Sequence, residues 1–538
     1  MLTVELFYAS AKLSPKIESF FLSLFSGSAS SSRIFMADAM LSSVLALLLI
    51  SSCTHRVESS AEEEGFIWVE ISNKGLDFAK NIFINTAESS LVPLELPDIE
   101  KSVDISVLGT VDMILSDITI NAIQVTSSTV STADSGVILT VYGATANLSM
   151  NWKYSYSTWL LVPIQVSDSG QASVQVSGME IGLTLSLKNQ QGSLSLSLVK
   201  NKCSVKDISI NLEGGASWLY QGVVDAFEGK LTSAVEDAIS SKINEEVAKL
   251  DSLLQSLPKE VPITSIATLN VTFVGDPVIN KSSIALAING LVSARDEDED
   301  EDEDDTLFQN HHRALYNLIP SKGPDYMFTI FLHEIVIKSV LSVYYKAGKM
   351  HWIVDEVPDQ FLLNTARWKF IVPNLYKQYP NDNMNLNISI SSVPNIEIKE
   401  QQIDVTVTAD VIINVLNDTE AVPVACISVE ITGSAFPEIS SKDVTGSITL
   451  HELAMSLVWS KVGDLNIPAI ESIVLNVLRT GVLPYVNSRL GQGFSVPAFY
   501  GYTLQNTEIL CSDSWIMVSS DVAPTNLDSG SIRTTTFS

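Results

Sequence analysis

Basic residues are scarce in this chain: 32 lysines and arginines stand against 62 aspartates and glutamates, a formal charge of −30. That balance repels polyanions and excludes nucleic acid as an expected partner. Histidine is scarcer, with six in 538 residues. His333-Glu334 and His451-Glu452 each begin like a zinc-protease signature, but neither has a second histidine four residues after the first. Both are expected in ordinary packing or surface roles, His333 within a helical run and His451 at a strand end. His311-His312 could bind metal only adventitiously, so no metal and no cofactor is expected. Gly215-Ala216-Ser217 opens like a nucleophile elbow, but Leu219 replaces the closing glycine, and Ser217 reads better as a helix N-cap. No glycine-rich phosphate loop follows a strand. Without convergent reactive groups, the expectation moves from catalysis to binding.

Cysteine is also sparse. Of four, Cys53 falls in the apparent targeting region, and Cys203, Cys426 and Cys511 allow at most one bridge. Cys426 and Cys511 sit in strand-like apolar contexts and are either paired or simply buried. Outside the targeting region no run is expected to span a membrane. Residues 41–50 form an apolar block ending in Ser51-Ser52-Cys53, short enough for a signal-peptide core. Initiation at Met36 or Met40 would place it where a signal peptide belongs, so secretion, to the extracellular space or cell wall, is expected. The competing reading is an organellar presequence using Lys12, Lys16 and Arg33, against which Glu5 and Glu18 count. Five Asn-X-Ser/Thr triplets, at Asn147, Asn270, Asn280, Asn387 and Asn417, are candidate glycosylation sites in keeping with that compartment.

What the chain does have is apolar residues, 46% against 17% charged, in two regular periods. Residues 171–188 place Val174, Val176, Ile181, Leu183, Leu185 and Leu187 at mostly two-residue steps, and 193–198 read Ser-Leu-Ser-Leu-Ser-Leu. Period two puts these side chains on one sheet face. After Gly214-Gly215 the steps change to three and four, from Val223, Phe227 and Leu231 through Ile239 and Ile243 to Leu254. That is one helical stripe, roughly nine turns long, which must be buried.

The second half repeats the order. Residues 385–391 and 403–411 alternate, and after 444–459 comes a helical run with Ile467, Ile470, Val474, Val477, Leu478 and Val482. Pro468 suits its first turn, while Pro484 is expected to kink or end it. Each half opens with a shorter amphipathic helix, expected over 73–91 and 328–345. Between the halves lie ten consecutive acids, 296–305, read as an exposed linker or insertion because like charges at that density cannot form a core. A curved sheet around each helix would either pack fully or leave an apolar slot suited to an acyl chain, at about 0.8 kcal/mol per buried CH₂.

From about residue 64 to 522 the chain resembles the family of bactericidal/permeability-increasing protein and lipopolysaccharide-binding protein, most closely its plant members. The carrying segments are Val-Glu-Ile-Ser-Asn-Lys-Gly-Leu-Asp-Phe-Ala at 69–79 and Leu-Glu-Gly-Gly-Ala-Ser-Trp-Leu-Tyr-Gln-Gly at 212–222. In the second half they are Leu-Asn-Thr-Ala-Arg-Trp-Lys-Phe at 363–370, Leu-Val-Trp-Ser-Lys-Val-Gly at 457–463, Gly-Phe-Ser-Val-Pro at 493–497 and Tyr-Thr-Leu-Gln-Asn at 502–506. The resemblance implies an α+β, two-domain boomerang, each domain a highly twisted antiparallel sheet around a long amphipathic helix, joined by a central sheet. It further implies an apolar lipid pocket in each domain, lipopolysaccharide or phospholipid as partner, possible contact with a membrane surface, and a role in defence.

On that pattern the expected boundaries are 1–60 for an upstream extension and signal peptide, 61–290 and 325–522 for the two lipid-binding domains, 291–324 for the acidic linker and 523–538 for a tail. Expected pocket residues are Leu76, Ala79, Phe83, Val223, Phe227 and Leu231 in the first domain, and Ile335, Leu341, Ile470 and Val474 in the second. The chain departs from its animal relatives at the first domain's tip, where basic side chains meet lipid phosphates. Here 91–100 is acidic, and 61–290 holds 26 acids against 13 bases. Trp152, Tyr154, Tyr156 and Trp159 are expected either as interfacial rings or packed across a hairpin, with Lys153 and Lys188 the nearest cations. Cys203 matches the strand side of a family disulfide, but 218–257 contains no cysteine, so that bridge cannot form. The expected protein is a monomeric, glycosylated lipid binder. The alternatives are a phospholipid transfer protein without lipopolysaccharide specificity and a hydrolase.

Overall fold

The computed structural model describes residues 65–105, 109–134, 136–159, 163–213, 220–295, 326–355, 360–417, 420–440, 443–495 and 502–524. The signal-peptide block, Ser217, the acidic run, His311-His312 and most of the tail lie outside them.

The repeat of element order becomes a near two-fold symmetry in a six-stranded antiparallel sheet at the centre. Its strands run Phe273–Ile279, Ser283–Ile288, Ile67–Ser72, Phe328–His333, Trp515–Pro524, Tyr502–Ser512. Each half supplies one inner strand and one hairpin. The inner strands meet antiparallel, with Val69 opposite Ile330 and Ile71 opposite Phe328. Each then turns directly into a helix, α1 (Asn73–Ser90) in the first half and α3 (Glu334–Lys346) in the second. The side chain of Ser72 caps α1 by accepting from the Gly75 amide, and the Nδ1 of His333 caps α3 by accepting from the Ile335 amide.

Residues 328–333 correct the helix expected over 328–345. Phe-Thr-Ile-Phe-Leu-His is paired throughout with Trp515–Pro524 and, over 328–332, with Ile67–Ser72, so backbone hydrogen bonding across the sheet outweighs helical continuation. His333 is therefore a buried strand end and helix cap rather than a helix-interior residue.

In the first domain an eight-stranded sheet carries strands of 24 and 28 residues, Gly136–Trp159 and Pro163–Gln190, paired over nearly their whole lengths. Helix α2 (Tyr220–Gln255) is 36 residues, about 54 Å. Phe227, Leu231, Val235, Ile239, Ile243 and Val247 form its buried stripe and join one core with the sheet's inner face. The bulk of the apolar burial in this domain sits along that seam.

In the second domain a seven-stranded antiparallel sheet, whose long strands are Gln402–Asn417, Glu420–Ser440 and Asp443–Ser460, packs on helices α5 (Ile467–Val477) and α6 (Leu483–Gln492). A π-helical turn, Leu478–Val482, joins α5 to α6 into one continuous rod. Pro484 therefore does not end the run. Leu483 donates to the carbonyl of Leu478 five residues back, and the wider turn re-registers the ladder so that proline falls in the first turn of α6. By length and apolar composition alone, the rod Ile467–Gln492 would suffice to cross a membrane. No membrane-spanning run is expected from the sequence outside the targeting region, and an end at Pro484 would have left this one too short. It lies instead along the sheet, with Ile470, Leu478, Val482 and Val486 buried. Between α3 and α5 falls a short helix, α4 (Pro373–Gln378), with two 3₁₀ turns just before it, Gln360–Leu363 and Thr365–Trp368.

Candidate functional site

Packing between rod and sheet is incomplete in both domains. In the first, a cavity of about 280 Å³ opens between α1, the C-terminal half of α2 and the sheet. From α1 it is lined by Leu76, Ala79, Phe83 and Ala87. From α2 come Ile239, Ile243, Val247 and Leu250, and from the sheet Met179, Ile181 and Leu183. The wall is almost entirely apolar, so it offers water few hydrogen bonds and favours a ligand that needs few. Its three charged members already have partners. Lys80, 8% exposed at the side chain, pairs with Asp77 and donates to the Ser128 carbonyl at 3.2 Å. Glu88 Oε1 accepts from the Val125 amide at 2.6 Å, and Glu246 pairs with Lys242 and Lys249.

The second cavity, about 120 Å³, lies between α5, the sheet and the segment built from the 3₁₀ turns and α4. Ile470, Ile473, Val474 and Val477 face it from α5. Leu362, Trp368, Val372 and Leu375 close the opposite side. Trp368 is held by its indole N–H, which donates to the Leu362 carbonyl at 2.9 Å.

These cavities gather Leu76, Ala79 and Phe83 in one domain and Ile470 and Val474 in the other. Phe227 and Leu231 stand elsewhere on α2, sealed in the core at 1% and 0% exposure. Val223 lies on α2, and its side chain is outside the described residues. Ile335 is packed in the central cluster with Phe66 and Trp515, and Leu341 is a half-buried residue of α3, which packs on strands Val292–Ala294 and Asn395–Lys399 rather than on the second cavity. Nothing in the helical period distinguished the upper from the lower part of α2. The wall of 3₁₀ turns was signalled only by the density of large apolar residues around Trp368.

The tip aromatics turn inward. Trp152, Tyr154 and Tyr156 follow Leu148 and Met150 at two-residue steps on the sheet's inner face. Trp152 and Tyr154 stack at 5.9 Å with rings 2° from parallel, both buried, and Tyr156 continues the stack at 6.4 Å. The Trp152 indole donates to the Gln171 carbonyl at 3.0 Å. Trp159 ends the strand, its side chain outside the described residues. Lys153 and Lys188 are exposed but far apart: Lys153 is opposite Ser169 on the strand that carries Lys188, and 19 residues of strand, about 60 Å, separate them. No cationic cluster forms there.

Among the candidate glycan sites Asn147, Asn280 and Asn417 are exposed, while Asn270 and Asn387 are half-buried. The Oδ1 of Asn270 accepts from both the amide and hydroxyl of Thr272 in its own triplet. The three described cysteines are all buried and free. Ser434 links Asp404 and His451, at 2.5 and 2.6 Å. This differs from a nucleophilic triad: the hydroxyl is the central group, held by both neighbours, and is 0% exposed.

The comparisons agree with this architecture. The model of the N-terminal domain of the LBP/BPI/CETP family matches residues 75–257, and that of its C-terminal domain matches 262–523. A BPI/LBP family protein of Arabidopsis thaliana is 46% identical over 476 residues, covering 88% of this chain and 96% of that protein. The human lipopolysaccharide-binding protein is 24% identical, with 86% and 93% covered. The bactericidal permeability-increasing protein of Sebastes schlegelii is also 24% identical, with 84% and 94% covered. A crystal structure of lipopolysaccharide binding protein superposes with a TM-score of 0.54 at 18% identity, over 86% of this chain and all of that one. Two domain models in tandem, a twisted sheet around a helix in each half and the central sheet that joins them place this chain in the LBP/BPI/CETP family.

Proposed function

We propose that this protein is not an enzyme but a secreted, glycosylated, monomeric carrier that captures the acyl chains of lipopolysaccharide or phospholipid in its two cavities, in defence against bacteria. The observation that carries this reading is the pair of separate, almost wholly apolar cavities, one between rod and sheet in each domain. In the proposal 61–290 and 325–522 are the two lipid-binding domains, and the cavity-lining residues of α1, α2 and α5 contact the chains. Each buried methylene contributes about 0.8 kcal/mol, so recognition is by chain length and shape more than by any single contact. The relatives named for binding lipopolysaccharide or for bactericidal action support the ligand class.

A second reading, phospholipid transfer without lipopolysaccharide specificity, is favoured by the electrostatics of the first domain. Its acids outnumber its bases two to one, and Lys153 and Lys188 stand apart. Lipid extracted from protein purified from its source and identified by mass spectrometry tests both readings. Co-purifying acyl lipid is expected, and its absence from both cavities counts against the carrier. Titration with lipopolysaccharide and with neutral phospholipid vesicles at rising salt separates the two, because phosphate capture weakens with salt while chain burial does not.

A further inference from the structure

The 3₁₀ and helical segment that closes the second cavity has two faces of opposite character. Inward, Leu362, Trp368, Val372 and Leu375 line the cavity. Outward, Phe370 is 85% exposed and Phe361 52%, the former among the most solvent-exposed large apolar side chains described. Leu416, 36% exposed, joins them through pairing: it lies opposite Asn383, which bridges to Asn364 between the two 3₁₀ turns.

Charge on this segment runs against the rest of the chain. From 360 to 381 there are three cations, Arg367, Lys369 and Lys377, and no acid, in a protein of formal charge −30. All three cations are exposed. The ammonium of Lys369 stands 4.7 Å from the centre of the Phe370 ring, so cation and aromatic face the same side. In sequence Asp355, Glu356 and Asp359 precede this segment and Asp382 follows it, and Glu420 pairs with Asn417 beside Leu416, so the basic character is confined to the segment itself.

We propose that this outward face is where the protein docks on an anionic lipid bilayer, with Phe361 and Phe370 entering the headgroup boundary and Arg367, Lys369 and Lys377 meeting lipid phosphates and carboxylates. The chemistry fits one occupant. Exposed aromatic rings flanked by cations suit an interface that is apolar on one side and negative on the other. The net negative charge elsewhere on the chain is repelled by the same surface, which favours approach by this face. The docking face and the cavity share a wall, since Trp368 and Phe370 are two residues apart, so an acyl chain leaving the bilayer has a short path inward. The proposal rests on the carrier reading for its purpose, but docking and cargo are measured separately.

Co-flotation of the full chain with phosphatidylcholine vesicles, with and without phosphatidylserine, reads the docking. Binding to the phosphatidylserine vesicles is expected to exceed binding to the neutral ones and to fall with salt. Removing Arg367 or Lys369 should lower it about five-fold for each cation. Phe370→Ser should lower it several-fold, Phe370→Trp should retain it, and Val199→Ser, at an exposed apolar site of the first domain, should leave it unchanged. Lipid content by extraction should be the same in all these variants. Loss of docking with cargo retained supports the proposal; absence of cargo in wild type with docking intact overturns only the carrier reading. Wild type that ignores phosphatidylserine vesicles, or variants that bind them equally well, overturn the docking proposal. So does a dimer in sedimentation that Phe370→Ser converts to monomer, because the face would then be an interface between copies.

Discussion

Lys74 and Asp521 are joined across 447 residues of sequence: the Lys74 ammonium donates to both carboxylate oxygens of Asp521, at 2.8 and 2.7 Å. Lys74 stands at the start of α1 and Asp521 on the last strand of the central sheet, so this pair ties the two halves of the repeat together. Asp521 also accepts from the Met327 amide at 3.1 Å and the Asn506 side chain at 3.0 Å. Burial alone would raise its pKa, but the bonds from Lys74, Asn506 and Met327, with the charge of Lys74, hold it below the usual carboxylate range.

A depressed folded-state pKa means that the contribution of Asp521 is complete at neutral pH and is lost as pH falls from the unfolded value, about 4, through the folded one. Asp521→Asn should therefore cost about 1–3 kcal/mol at pH 7. Denaturant titrations of wild type and variant at pH 7 and near pH 3 check this: the gap between them should shrink at the lower pH. An equal gap at both would remove the carboxylate from the account.

Two helical glycines of the first domain should respond to alanine with opposite signs. A β-carbon on Gly75 would fall on the carbonyl oxygen of Met327, which also accepts from the Ser72 amide at 3.0 Å. The gain in helix propensity, about 1 kcal/mol, is smaller than the displacement of a paired backbone, so Gly75→Ala should destabilise by about 1–3 kcal/mol. Gly229, in the body of α2, has open space where its β-carbon would stand. Gly229→Ala should stabilise by about 0.5–1 kcal/mol. Thermal unfolding of the two variants reads both signs.

The repeat was legible because period two and period 3.6 are local, and the long strands and α2 follow them closely. Residues 328–333 were misread because six residues of Phe-Thr-Ile-Phe-Leu-His suit either period, and only pairing with strands roughly 190 and 260 residues away decides. The position of the first cavity along α2 is of the same kind. Phe227 and Ile239 belong to one stripe, yet the first is sealed in the core while the second faces the cavity beside α1. Trp152 and Tyr154 were legible in principle, since Leu148 and Met150 already mark their face as the inner one.

Cys203 offers a test of the core at alkaline pH. Burial, and secondarily the nearby charge of Glu236, push its thiol up to about 12. A raised folded-state pKa keeps the proton in the folded chain where the unfolded chain has lost it, so its contribution is complete below about 9 and declines as pH rises toward 12. The slope from this one proton is at most about 1.4 kcal/mol per pH unit. Cys203→Ala should lower stability at pH 8 by about 1–2 kcal/mol through the packing it removes, and should show a shallower decline from pH 9 to 11 than wild type. Melting temperatures across that range check the difference in slope. Alkylation at pH 8 in the folded state should leave Cys203 unmodified.

The two cavities should be separable by filling them one at a time. Ala79 faces the first from α1, and Val474 faces the second from α5. A tryptophan at either position occupies space that an acyl chain would take, and overpacking is expected to cost about 1–3 kcal/mol of stability. Ala79→Trp should remove the lipid held by the first domain and leave that of the second, and Val474→Trp should do the reverse. Native mass spectrometry of each variant, loaded with a single phospholipid, reads the stoichiometry directly. The smaller volume beside α5, about 120 Å³ against about 280 Å³, makes the second domain the more sensitive to added bulk. There Val474→Ala, which enlarges the cavity, should extend the longest chain accepted, whereas the same enlargement beside α1 should change selection little. If Val474→Trp and wild type carry the same number of lipids, the second cavity is packing space and the first domain alone carries cargo.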